Sequence, residues 1–540
     1  MNSHATDAIF GPSETRAKGP LSGPRRLAVA LFIVLCLGGG SFLRFHNIGK
    51  AGFWIDEFFH VYAAQSYLKD GSLTVPLHGE YTQDFAITRI TAWSFEHFGV
   101  SETSARAPFA AINVLFLGVS FLFIRRIFGL VPALATLCVL SFSPFMIHMS
   151  RECRMYTAFQ LLYFSWLATF LLGFEPDKER SGWEGRLGID ARWLAASIAL
   201  FPMSVNIHRL TWNGGLVIGV YLAIMFAWAW FSRGPRAALS SKYGAGLLLT
   251  GVAGAAMVLF AQDRLSVLLW AAREVPAWMV LGPNPQSFYR YLLASDYPIF
   301  FLLYPLACFA FVRKHGRRGL FAVVSFALLF VLHSYVYGRK EDRYIFYVFP
   351  FFILVSASLS ATLVSALTES LRSSLAGTAR WVRAAAWMAI IPAVYLVFLE
   401  WFTSGLRAPD FRSRNDWKKL AVEVRDTVSD NTVIDTNPLA YLYYMGRLPD
   451  FYLLGEVWDV NAHQGRLIRT LEDLKAALDR PGIATLITHR ERMGNPAWFT
   501  PDMAKLIESR TRVVVSRINP SIRYYEELPA GPPPPTRPIR

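Results

Sequence analysis

The chain has 540 residues, of which 53% are hydrophobic and only 17% are charged. Soluble globular proteins carry about 25% charged residues, so the deficit excludes an ordinary soluble domain and makes lipid part of the solvent. The net charge of +15 calls for no nucleic acid, because membrane proteins collect Arg and Lys in their cytoplasmic loops.

In chain order, a polar N-terminal tail, residues 1–26, ends at Arg25-Arg26 ahead of a long apolar run. The run lacks a convincing small-residue cleavage site, Gly38-Gly39-Gly40-Ser41 being the nearest candidate, so a retained first helix is expected. A helix needs about 20 mainly apolar residues to cross the hydrocarbon. Runs of that kind fall near 27–45, 106–124, 129–149, 155–174, 192–208, 214–232, 244–261, 298–312, 319–337, 344–366 and 383–402. The expected architecture is therefore an α-helical polytopic membrane protein with about eleven spans, occupying residues 27–402. With the N-terminus in the cytoplasm, alternating spans put Arg125-Arg126, Arg233, Arg236, Lys242, Arg313, Lys314, Arg317 and Arg318 in cytoplasmic loops, as the positive-inside rule requires. The same parity places the first large loop, 46–105, and everything after about 403 outside. Within that loop Phe58–Leu68 and Phe85–Phe98 read as amphipathic interfacial helices. Residues 262–297 read either as a lid or as a plain connector.

After the last span the pattern changes. Trp417–Val428 and Leu471–Leu478 read as helices, while 432–435, 483–488 and 513–516 read as strands. That alternation predicts a small soluble α/β domain over 403–525, followed by a disordered Pro-rich tail, 526–540. The cysteines, Cys36, Cys138, Cys153 and Cys308, form no C-x-x-C pair, and none lies in the C-terminal domain. Neither a thiolate zinc site nor a disulfide framework is expected there.

The sharpest local feature is Phe53-Trp54-Ile55-Asp56-Glu57-Phe58-Phe59-His60. Adjacent carboxylates between aromatic pairs, just past the first span, are costly near hydrocarbon and suit a general base. The competing reading is a hydrated helix start with favourably placed acids. His60, four residues after Asp56, makes the two a candidate pair for a divalent ion, although an interfacial packing role is the simpler account. Arg151 and Arg154 stand on the outer side against the charge rule, as do Arg339, Lys340 and Arg343. Such cations suit an anionic partner, because guanidinium groups meet phosphate bidentately; pairing with Glu152 or the loop carboxylates is the alternative.

In these pieces the chain resembles the membrane glycosyltransferases of the C-type (GT-C) fold, in particular the group of protein O-mannosyltransferases and lipid A aminoarabinose transferases. The matching elements are Asp56-Glu57; Phe98-Gly99-Val100-Ser101-Glu102 with Arg106-Ala107-Pro108; Arg125-Arg126-Ile127-Phe128-Gly129; Ser143-Pro144-Phe145; Ser150 through Tyr156; and Asp342-Arg343-Tyr344. The resemblance implies inverting transfer of a monosaccharide from a polyprenyl-phosphate donor, with Asp56 as base and Glu57 beside it. Arg343, Lys340, Arg339, Arg151, Arg154, Tyr344 and Arg89 become candidates for the donor phosphate. Asp84, a second acid, joins His60 and Tyr156 as candidates for acceptor or other contacts. Where relatives often carry a Lys- or His-Pro-Pro element, this chain has Tyr81-Thr82-Gln83-Asp84-Phe85. No cofactor is required, a monophosphate leaving group being served by cations alone, and a divalent metal is optional. The expected partners are the lipid-linked donor, membrane lipids and a lipid, glycan or protein acceptor. The expected location is a bacterial inner membrane with the site on the periplasmic side. A lipid or polysaccharide transporter or flippase, or an O-antigen-ligase-like polymerase, is the rival reading.

Overall fold

The computed structural model describes residues 23–176, 181–260, 286–338, 340–374, 403, 406, 417–425, 432–435, 437–453, 467–480, 484–489, 493, 498–515 and 522–527. Helix occupies each expected span from 27–45 through 344–366. The expected span 383–402 and the tail from 528 onward lie outside the described residues. Among the described residues, six helices are long and apolar enough to cross a membrane: Gly23–Phe45, Glu102–Phe128, Tyr156–Phe174, Arg209–Arg233, Pro298–Val336 and Phe349–Ser370. Ala191–Ile207 is apolar but shorter.

Two expected spans are interrupted for local chemical reasons, and a third break, at Gly316, falls in the loop expected between 298–312 and 319–337. The stretch 129–149 breaks at Ser143-Pro144 into Leu130–Phe142 and Pro144–Ser150, bent by 62°. Pro144 cannot donate to the preceding turn, so carbonyls there lose their partners. The fully buried Arg44 supplies them: its Nη1 donates to Ser141 O (2.9 Å) and its Nη2 to Leu140 O (3.1 Å). Its Nε donates to Asn113 Oδ1 (2.7 Å), so the charge is hydrogen-bonded throughout. Pro298–Val331 breaks at Gly316, whose φ of 54° and ψ of −131° a side chain would resist. Residues 344–366 start as the short turn Arg343–Phe346 and resume as Phe349–Ser374, with Pro350 in the first turn of the second helix.

The loop helices expected at 58–68 and 85–98 form as Glu57–Asp70 and Phe85–Phe98. Gly71 ends the first with a left-handed φ of 77° and donates to Tyr67 O (3.0 Å). A two-stranded hairpin, β1 (Thr74–Val75) and β2 (Gly79–Glu80), joins them. Ser101 and Ser104 form a reciprocal capping box that starts Glu102–Phe128.

The C-terminal α/β unit holds a six-stranded sheet in the order β5-β4-β3-β6-β8-β7. Its strands are β3 (Thr432–Asp435), β4 (Phe451–Leu453), β5 (Leu467–Ile468), β6 (Ala484–His489), β7 (Thr511–Val515) and β8 (Ile522–Glu527). The first four in that order are parallel, whereas β8 runs antiparallel to both β6 and β7. β8 reaches Glu527, past the expected boundary at 525. Period-two alternation sends Ile434 and Leu486 to one face, against Leu474, Leu478 and Ile507. Val433 and Ile487 go to the other face, with Trp417, Leu420 and Leu439, and that face is continuous with the core of the bundle. The sheet therefore has helices on both sides, and one layer is shared with the first loop.

Candidate active site

Asp56 directly precedes the helix Glu57–Asp70, and its backbone is already helical (φ −73°, ψ −20°). Neighbouring helical residues point about 100° apart, so adjacent carboxylates diverge. Glu57 turns inward and is 1% exposed. Arg106 donates to it through Nε (2.9 Å) and Nη2 (2.7 Å), and the backbone N–H groups of Cys153 (2.8 Å) and Trp54 (2.7 Å) complete its contacts. Burial pushes this carboxyl up, but the Arg106 charge and the four hydrogen bonds outweigh it and hold Glu57 below the usual carboxylate range. The acceptor sites of Glu57 are thus committed to the protein. Glu57, expected as the catalytic partner of Asp56, is placed to position the first loop against Arg106.

Asp56 faces outward. Its Oδ2 is ion-paired with Arg343 Nη1, and its carbonyl accepts from Arg154 Nη1 (3.0 Å). Arg343 also pairs with Glu341. The Arg154 and Arg343 guanidinium carbons each lie 5.9 Å from the centroid of the Tyr156 ring, and Arg343 lies 5.7 Å from that of Tyr344. Two like charges are therefore gathered around one phenol ring beside one carboxylate. Elements from three parts of the chain meet here: the first loop, the Ser150–Tyr156 junction and the start of Arg343–Phe346.

A second group lies alongside. His60 is fully buried, its Nδ1 meets Thr88 Oγ1 (3.0 Å), and its ring packs edge-on to Tyr81 at 5.3 Å. Burial, with the Arg154 charge adding, drives its imidazole well below the ordinary value, so it is neutral. Asp84 is held in the left-handed region (φ 53°, ψ 47°) at the start of Phe85–Phe98. Burial pushes its carboxyl up to about 6, against the opposing pull of Arg154 and Arg209. His208 stacks on Phe159 at 4.8 Å.

The remaining sequence candidates go elsewhere. Arg151 donates to His46 O (2.5 Å) and Leu43 O (3.4 Å), closing the C-terminal end of the first helix, where unsatisfied carbonyls and the helix dipole favour a cation. Its expected place was the donor phosphate; the structure sets it on these carbonyls. Lys340 Nζ donates to Tyr337 O (2.7 Å). Arg89 is exposed over its helix neighbour Phe85, at 5.8 Å. Arg339 lies outside the described residues. Among the described residues no group of three or more His, Cys, Asp or Glu side chains is placed to hold a metal ion; Asp56 pairs with Arg343, and His60 meets Thr88.

No protein-family model matches the chain, and no characterised protein matches it by sequence. Solved structures do. ArnT from Cupriavidus metallidurans, a lipid A aminoarabinose transferase, aligns in its apo state at a TM-score of 0.58 and 15% identity, over 95% of this chain and 100% of that one. The same protein bound to undecaprenyl phosphate aligns at 0.58 and 15%, over 94% and 99%. The archaeal oligosaccharyltransferase AglB from Archaeoglobus fulgidus, in complex with an inhibitory peptide and a dolichol-phosphate, aligns at 0.60 and 11%, over 95% of this chain and 75% of that one. Both are GT-C membrane glycosyltransferases. The chain has the GT-C fold.

Within this GT-C fold, sequence reasoning reached Asp56, Arg154, Tyr156 and Arg343, which the tertiary structure brings together. It quoted Arg106 only as part of a motif and missed its pairing with Glu57. A cation at the mouth of an apolar helix needs a counter-charge, and that signal was readable. Tyr81, His208 and Arg209 carried none, being ordinary interfacial residues by sequence.

Proposed function

We propose that the protein transfers a monosaccharide from a polyprenyl-phosphate-linked donor to an acceptor at the outer face of the membrane, with inversion and with Asp56 as general base. The observation that carries this reading is the Asp56 carboxylate paired with Arg343 and adjoining Arg154 around Tyr156. Its fold is shared with transferases solved bearing undecaprenyl phosphate or dolichol-phosphate.

The site works as an exchange of anions. Donor phosphate draws Arg343 and Arg154, with Lys340 close in sequence, and so releases Asp56 from its ion pair. Asp56 then takes the proton of an acceptor hydroxyl or amine as the acceptor heteroatom bonds to the anomeric carbon. The bond from that carbon to the phosphate oxygen breaks, its electron pair leaves with the phosphate, and polyprenyl phosphate is released. A single displacement inverts the anomeric centre. The preorganised guanidinium groups stabilise the charge gathering on the leaving phosphate.

Sidedness rests on the Arg/Lys distribution and gains support from the C-terminal unit. Tyr444 on the helix Pro438–Met445 accepts from Phe53 N (2.7 Å) and donates to Glu102 Oε1 (3.1 Å), and Tyr62 donates to Leu439 O (3.1 Å). A unit so attached to the first loop belongs on the same side of the bilayer, which we take as the periplasmic side of a bacterial inner membrane. Activity is tested by replacing Asp56 with Asn and following radiolabelled sugar from polyprenyl-phosphate donors in membranes. Loss of transfer with retained expression is expected; full activity in D56N would remove Asp56 as the base, and no transfer by the wild type would favour a transporter. A reporter fused after Arg540 tests topology, a cytoplasmic signal refuting the parity.

A further inference from the structure

We infer that His60, Asp84 and Arg154 form a sugar-ring subsite that selects a neutral, hydroxyl-rich monosaccharide over an amino sugar. This rests on the transferase reading above and names the class of sugar at its site. The observation behind it is a set of buried polar atoms without hydrogen-bond partners among the described residues: His60 Nε2, Asp84 Oδ2 and Arg154 Nε. Buried polar atoms in a folded protein are normally satisfied, so several together at one place point to a ligand that satisfies them. They are neighbours: Thr88 N donates to the Asp84 carbonyl (3.3 Å) while Thr88 Oγ1 meets His60 Nδ1 (3.0 Å), and the Arg154 charge acts on His60, Tyr81 and Asp84 alike. They also adjoin the base, because Arg154 donates to the carbonyl of Asp56.

The chemistry of the set decides the ligand. Arg154 Nε can only donate, a carboxylate oxygen can only accept, and a neutral imidazole nitrogen does one or the other. Vicinal hydroxyls both donate and accept, so a pair of them answers all of these atoms. A protonated amine only donates and leaves the Arg154 N–H unanswered. It would also gain little from Asp84, on which the charges of Arg154 and Arg209 already act. Tyr81, packed against both His60 and Phe59 at 5.3 Å, gives the subsite an aromatic wall suited to the apolar face of a sugar ring. Asp84 itself stands in the left-handed region, which residues other than Gly adopt uncommonly.

The test measures binding, so it does not depend on turnover. The full chain in nanodiscs is titrated with polyprenyl phosphate, with polyprenyl-phosphate hexose and with a polyprenyl-phosphate amino sugar. The expected result is at least tenfold tighter binding of the hexose-bearing lipid than of the bare lipid phosphate, with a smaller gain or none for the amino sugar. In Asp84→Ala and in the milder Asp84→Asn the hexose gain should shrink severalfold, while affinity for bare polyprenyl phosphate is unchanged. Thermal unfolding confirms that each variant is folded, and the wild-type comparison stands without them. Tighter binding of the amino sugar, or an undiminished hexose gain in both Asp84 variants, overturns the subsite. Failure to bind any of the three lipids overturns the transferase reading and the subsite with it. Loss of transfer in D56N with the hexose preference intact supports both.

Discussion

Replacing Glu57 with Ala should destabilise the first loop, whatever it does to chemistry. The side chain accepts from Arg106 Nε and Nη2 and from the N–H groups of Trp54 and Cys153. Without it, Arg106 keeps only neutral partners, the carbonyls of Ile48 (3.1 Å), Ala51 (2.8 Å) and Gly52 (2.8 Å), together with the Phe53 ring at 5.3 Å. Removing one partner of a buried ion pair costs about 3–5 kcal/mol. The orphaned N–H groups add to that but not independently, so about 4–5 kcal/mol is expected. At roughly 2–4 °C per kcal/mol for a sizeable domain, the melting temperature should fall by on the order of 10 °C. Cys153 supplies a local probe, because it is a buried free thiol whose own N–H rests on Glu57. Maleimide labelling of Cys153 should accelerate in E57A well below the melting transition. Glu57→Gln, which keeps an acceptor but loses the charge, should fall between. An E57A protein with unchanged melting, unchanged Cys153 protection and no sugar transfer would refute the positioning role and return Glu57 to the chemistry.

Other perturbations separate the remaining roles. Arg343→Ala should lower the transfer rate by about 10²–10³-fold, the cost of removing one preorganised charge-stabilising donor; an unchanged rate would take Arg343 out of phosphate stabilisation. Tyr444→Phe should cost about 1–3 kcal/mol by leaving Phe53 N–H without its acceptor, and limited proteolysis should then release the C-terminal unit faster; an unchanged cleavage rate argues against that anchor. Asp84 predicts a pH dependence. Its folded pKa, about 6, lies above the ordinary 3.8, so the folded state holds the extra proton, and stability falls as pH rises from about 4 to 6. The loss is about 1–3 kcal/mol after allowing for partial exposure, with Arg154 and Arg209 as the charges facing the carboxyl. Chemical denaturation across that window should show the decline in the wild type and its absence in D84N; parallel curves would contradict the shift.

Local pattern in the sequence was enough for much of this molecule. Hydropathy located helix from 27–45 through 344–366, and 3.6-residue periodicity located the helices at 57–70 and 85–98, because both signals are carried by neighbouring residues. Three strands of the sheet were legible from alternation, whereas β4, β5 and β8 were not: β4 and β5 are only a few residues long, and pairing partners supply what local sequence lacks. The acid that faces the site was legible as one of two, and no more. Asp56 and Glu57 are equivalent on paper, and only the turn of the helix sends one to Arg106 and the other to Arg343, 287 residues away. The same holds for the misplaced arginines. Charge counting singled out Arg151 and Arg154 together, yet the fold puts one on a helix end and the other beside Asp56. Sequence alone determined which segments must be buried and which charges need partners. The tertiary structure chose the partners, because a buried charge is satisfied by whatever the fold brings within about 3 Å of it, not by what stands beside it in the chain.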